Sequence, residues 1–150
     1  SGRNPQYLIG EHVKSAPLIY NLSIETIPTA YILLESGVRS SVEVISDTQP
    51  IPMVKHDIIL AHALAGQYLG KSLIFLESGS GAKEHVTCEI VSYLKPHLSI
   101  PIIVGGGVNT AESADLLVKA GADYIVTGSQ IENLPNSTEL IKFTQAVHQA

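Results

Sequence analysis

The chain has 150 residues, 45% of them hydrophobic and 15% charged, with a net charge of -5 and no tryptophan. That length suits one ordinary domain, and the composition excludes disordered and fibrous classes. Nine Lys and Arg residues spread without clustering among 14 acids lack the basic stripe of a nucleic-acid binder, so no nucleic-acid partner is expected.

From its start, residues 1–5 do not read as a signal peptide, and no apolar run approaches the ~20 residues of a bilayer span, so a cytoplasmic protein that is not transmembrane is expected. Pro5 to Ala16 reads as a helix, with Pro5 in its first turn and Tyr7, Leu8, Ile9 and Val13 as its apolar positions. Ala30 to Leu34 is a strand-like apolar run. Residues 35–56 mix Gly, Ser and Pro in a long irregular connection, in which Val42 to Ile45 suggests a short extra strand. Asp57 to Tyr68 is the longest helix, ended by Gly70.

The second strand, Ser72 to Leu76, runs into Glu77-Ser78-Gly79-Ser80-Gly81. Val86 to Leu94 is helical and stops near Pro96; within it Cys88, which has no other cysteine to pair with, reads as a buried structural thiol. The third strand, Pro101 to Val104, passes into Gly105-Gly106-Gly107. A helix follows from Thr110, its N-cap, to Ala120, with Gly121 just beyond. The fourth strand, Tyr124 to Thr127, ends in Gly128-Ser129, and a last helix spans Thr138 to about His148. Nearly continuous apolar strands alternating with helices predict parallel strands buried on both faces, in one α/β domain over residues 1–150. The histidines at 12, 56, 62, 85, 97 and 148 show no metal-ligand spacing.

Three of these strands pass directly into glycine. Ligands bind at the C-terminal ends of parallel strands, and glycine there allows positive φ and aims free N–H groups at an anion. One Gly-Gly-Gly run is equally explained as a tight strand-to-helix turn. Two such turns on consecutive strands point to a shared phosphate. Glu77, the carboxylate at the end of an otherwise apolar strand, is expected to be unshielded and to meet substrate hydroxyls, or to take a proton from one if burial raises its pKa. The competing reading is an acid that caps the next turn. Asp115 and Asp123 read as structural, and Glu132 as an exposed loop acid.

Phe-Leu-Glu-Ser-Gly-Ser-Gly-Ala at 75–82, Pro-Ile-Ile-Val-Gly-Gly-Gly-Val at 101–108 and Gly-Ala-Asp-Tyr-Ile-Val-Thr-Gly-Ser at 121–129 resemble the last three strand motifs of the geranylgeranylglyceryl phosphate synthase family. Asn4 to Gly10, Ile27 to Tyr31 and Pro50 to Pro52 are similar to the same family from just after its fourth strand, so the resemblance covers essentially the whole chain. It implies a (β/α)8 TIM-barrel type of fold of which this chain holds the second half, about strands 5 to 8. The implied activity is a prenyltransferase that joins the C3 hydroxyl of sn-glycerol 1-phosphate to C1 of geranylgeranyl diphosphate, in archaeal-type ether lipid synthesis.

By the same resemblance Phe75, Leu76, Glu77, Ser78, Gly79, Ser80 and Gly81 line the glycerol phosphate site, with Glu77 catalytic. Gly105, Gly106, Gly107, Gly128 and Ser129 cradle the phosphate. Phe75 stands where the family usually has Tyr, and Asn109 where Arg is common. Mg²⁺ is implied, with no ligand in this chain because the family's metal aspartate lies on earlier strands. The chain is therefore expected to be a fragment, inactive alone, of a protein that forms a homo-oligomer. The alternatives are another phosphate-binding barrel, a phosphosugar isomerase or aldolase, and a non-catalytic half-barrel that only binds and assembles.

Overall fold

The computed structural model describes residues 4–132 and 137–148. A π-helical turn, Gln6–Gly10, leads into α1, Glu11–Asn21, then β1, Thr29–Leu33, and α2, Ser41–Ser46. Next come α3, His56–Tyr68, β2, Leu73–Glu77, and α4, Cys88–Leu94, extended by a 3₁₀ turn at Lys95–His97. The chain continues through β3, Ile102–Gly105, α5, Ala111–Lys119, β4, Tyr124–Val126, α6, Ser129–Glu132, and α7, Ser137–His148. The four strands form one sheet in the order β1-β2-β3-β4. All neighbours are parallel, with Tyr31 opposite Phe75, Glu77 opposite Gly105 and Gly105 opposite Val126.

Side chains alternate across each strand, and one set packs under the helices. Ile74, Leu76, Ile102 and Val104 are fully buried there, with Ile59 and Ala63 of α3, Ile90, Val91 and Leu94 of α4, and Ala114 and Leu117 of α5. Helix α3 lies close because residue 66 is glycine: a methyl group there would stand 2.5 Å from the Ala30 Cβ. Ile74, with no exposed surface in the middle of β2, offers a measure of this core. Ile74→Ala is expected to lower unfolding free energy by about 2–5 kcal/mol, read from denaturant titration.

Local chemistry accounts for the helix starts. Thr110 caps α5 by accepting from the Ser113 N–H, and Thr87 caps α4 by accepting from the Ile90 N–H. Asp123 is structural as expected, accepting from Lys95 at 2.7 Å and from the Ile102 N–H at 2.8 Å. The Lys119–Asp115 pair, also structural, spans one turn of α5.

Several expectations are corrected. Val42 to Ile45 belongs to a helix, not a strand, because Ser40 and Glu43 form a reciprocal capping box that starts α2. The N-terminal helix does not stop before Pro17 but runs through it to Asn21. None of its residues is buried, so water can serve the carbonyl that a proline nitrogen leaves unpaired. Cys88, the first residue of α4, is half-buried at the edge of the core rather than within it. Tyr124 and Val126 of β4, 55% and 45% exposed, lie on the sheet face away from the described helices, which is the face that the rest of the expected barrel would cover.

Candidate functional site

The register of β2 against β3 places Glu77 beside Gly105. The Ser78 N–H donates to the Gly105 carbonyl at 3.0 Å, and the Leu34 N–H donates to the Glu77 carbonyl at 2.8 Å, so backbone bonds fix this strand end from both sides. Directly after it, the Gly79 N–H donates to Glu77 Oε1 at 2.7 Å. Glu77 is therefore not unshielded as the sequence suggested; it is only 9% exposed. The turn-capping contact and the placement at the strand tip coexist in one side chain.

Burial pushes the Glu77 carboxyl above the usual carboxylate range, and the Gly79 hydrogen bond offsets part of that rise. Removing water from the charged form is the larger effect. The result is a carboxyl group held ready to accept a proton, in a site floored by glycine.

Gly105 and Gly106 leave the space that Glu77 occupies. A methyl group at 105 would stand 3.0 Å from Glu77 Oε2 and 2.7 Å from the edge of the Phe75 ring; one at 106 would stand 2.6 Å from Glu77 Oε1. Gly106 and Gly107 have φ of +79° and +70°, the left-handed region that consecutive N–H groups use to form an anion-binding concavity. Among the described residues no loop hydrogen bond engages either N–H. The space at Gly107 is closed by the loop after β2, with the His85 nitrogen and the Ala82 carbonyl 3.1 and 3.2 Å from where a methyl would lie.

The structure thus brings the Glu77-Ser78-Gly79 and Gly105-Gly106-Gly107 turns into contact. The third turn joins them through the Thr127 hydroxyl, which donates to the Val108 carbonyl at 3.0 Å. Gly128 is exposed, with no atom within 4 Å of a methyl added there, and Ser129 opens α6. Ser80 and Gly81 are exposed at the top of the loop after β2. Ser78 is 1% exposed and its Oγ has no hydrogen-bond partner among the described residues.

Leu76 is a correction: its side chain, fully buried among the helices, turns away from the Glu77 face. Sequence reasoning overlooked Ser40, whose Cβ would lie 2.9 Å from a methyl at Gly79, so the loop after β1 also packs on the site. The signal was the Ser-x-x-Glu of residues 40–43. It overlooked Tyr31 as well, whose ring meets Phe75 edge-on with centroids 5.2 Å apart. No three His, Cys, Asp or Glu side chains gather to hold a metal ion among the described residues.

The sequence profile of the PcrB family matches residues 1–147. A protein from Chitinophaga pinensis named geranylgeranylglyceryl phosphate synthase is 47% identical over 151 residues, covering 100% of this chain and 59% of its own length. One of the same name from Pyrococcus horikoshii is 43% identical, covering 98% of this chain and 57% of its own. The crystal structure of (S)-3-O-geranylgeranylglyceryl phosphate synthase from Thermoplasma acidophilum, in complex with substrate sn-glycerol-1-phosphate, is similar with a TM-score of 0.91 and 37% identity over 97% of this chain and 58% of its own. The chain thus spans less than two thirds of the length of the curated relatives it matches.

Proposed function

This chain belongs to the PcrB family, and from that premise we propose that the full-length protein is a geranylgeranylglyceryl phosphate synthase in which these residues form the sn-glycerol 1-phosphate site. The observation that carries the reading is the buried Glu77 carboxyl, its acidity weakened by burial, seated against the glycine turn of β3. The relatives that bear this enzyme's name, and the similar structure that holds sn-glycerol-1-phosphate, support it.

In this reading the backbone N–H groups at Gly106 and Gly107, with the turn at Gly128 and Ser129, bind the phosphate. Phe75, Glu77, Ser78 and the loop through Gly79, Ser80 and Gly81 surround the glycerol unit. Glu77 receives the proton of the C3 hydroxyl. That oxygen then forms a bond to C1 of geranylgeranyl diphosphate as the bond from C1 to the diphosphate oxygen breaks, giving an ether and free diphosphate. A buried base suits this task because its raised pKa narrows the gap to an alcohol.

The parallel sheet is close to that of geranylgeranylglyceryl phosphate synthases, a TIM-barrel type. We place residues 1–150 as the second half of that barrel, one domain completed by sequence outside this chain. Mg²⁺, which assists departure of diphosphate, would be held there. We further place the protein in the cytoplasm as a homo-oligomer; none of the described helices is long and apolar enough to cross a membrane.

Titration calorimetry of the full-length protein with sn-glycerol 1-phosphate tests the assignment. Saturable binding of one molecule per chain is expected. A phosphosugar bound in its place would favour the isomerase or aldolase alternative, and no binding of either would favour an assembly unit.

A further inference from the structure

Tyr31 and Phe75 are direct partners across the β1–β2 pair, and their rings meet edge-on at 75°. Alternation along the strands sets both on the same face of the sheet as Glu77. The para carbon of the Phe75 ring and Glu77 Oε2 converge over Gly105, 2.8 and 3.0 Å from a single point above its Cα. Phe75 brings no polar group to that point. The Tyr31 ring is half-buried, and its hydroxyl, reached by solvent, makes no hydrogen bond among the described residues and is free to donate one.

Tyr31 also lines two cavities of about 640 and 370 Å³ along the edge of β1, neither of which is bordered by Glu77 or the glycine turns. Burial, with the Glu77 charge as a second cause, discourages loss of its proton; the phenol stays a donor while the carboxylate is an acceptor. A substrate hydroxyl needs both, because it offers one proton and two lone pairs. Glu77 can take the proton and leaves the lone pairs unmatched.

We propose that Tyr31 is a substrate-contacting residue of this site, its hydroxyl donating a hydrogen bond to the glycerol oxygen whose proton Glu77 accepts. The proposal rests on the glycerol phosphate reading above. It assigns Tyr31 to the glycerol end of the ligand and not to the phosphate end.

Calorimetry of the full-length protein with sn-glycerol 1-phosphate, and separately with inorganic phosphate, separates the two. Tyr31→Phe is expected to weaken glycerol phosphate binding about tenfold and to leave phosphate binding within about twofold. Adding Phe75→Tyr to Tyr31→Phe is expected to recover most of the loss, since the para position of residue 75 projects beside the same carboxylate. Unchanged glycerol phosphate affinity in Tyr31→Phe overturns the proposal. So does an equal loss for both ligands, the mark of a structural role, or a double variant that binds no better than Tyr31→Phe. A native protein that binds neither ligand overturns the reading of the site itself.

Discussion

Replacing Glu77 with glutamine is expected to lower the turnover of the proposed full-length transferase by roughly 10²- to 10⁴-fold, the range for a general base. Glutamine keeps the shape of the side chain, and its amide oxygen can still accept from the Gly79 N–H that now holds Oε1 at 2.7 Å. Folding should survive while proton transfer does not. The pH dependence gives an independent reading. Burial raises the Glu77 pKa against the opposing Gly79 bond, so the folded state holds its proton to higher pH than the unfolded chain does. The stability linked to that proton is fully present below the ordinary carboxylate pKa and is lost as pH rises through the folded value. Activity runs the other way, rising over the same window as the base ionises. Glu77→Gln should lose both dependences, measured by rate profiles and by denaturation at a series of pH values. A variant that turned over within a few-fold of the native enzyme would remove Glu77 from the chemistry, and unaltered sn-glycerol 1-phosphate affinity in Glu77→Ala would remove it from substrate binding.

Gly106→Ala is expected to destabilise the fold by about 2–5 kcal/mol, combining left-handed strain with overpacking. The φ of +79° is one that side chains with a Cβ rarely adopt. The added methyl would lie 2.6 Å from both Glu77 Oε1 and the Gly79 carbonyl, and 2.7 Å from the Gly79 nitrogen. Two of those three atoms are backbone and cannot swing aside. Relief requires the β2 and β3 turns to separate, which also displaces the carboxylate and the N–H groups proposed to bind phosphate. Thermal unfolding and phosphate titration should therefore both respond. Gly128→Ala, where nothing lies within 4 Å, is the control and should cost far less stability. If the two variants were equally stable, the close packing of the two turns would be wrong.

The positions of most elements were legible because their causes are local. The apolar runs at 30–34, 72–76 and 101–104 coincide within a residue with β1, β2 and β3, since strands of a parallel sheet meant to be covered on both faces are apolar at successive positions. Thr110 and Gly121 marked the limits of α5 because capping acts within a few residues. The 42–45 segment failed for a related reason: its three β-branched positions, Val42, Val44 and Ile45, fit either period, and the capping box that decides for helix begins just before them.

The candidate site divides in the same way. Glu77 and the glycine turns could be identified in the sequence because strand-end position and glycine content are properties of a short stretch. Family membership followed from the order of three such stretches. Leu76 was misassigned to the site because proximity in sequence ignores the alternation that turns it into the core. Burial of Glu77, its closeness to Gly106 and the meeting of Tyr31 with Phe75 depend on the register of strands whose residues lie far apart in the chain. Register is set by the packing of whole helices against the sheet and by backbone bonds such as Ser78 to Gly105. The sequence by itself determined which residues are chemically able to form this site. Only the tertiary structure decided which of them meet, and that burial would raise the acid's pKa, because desolvation is a property of the assembled surroundings and not of the residue.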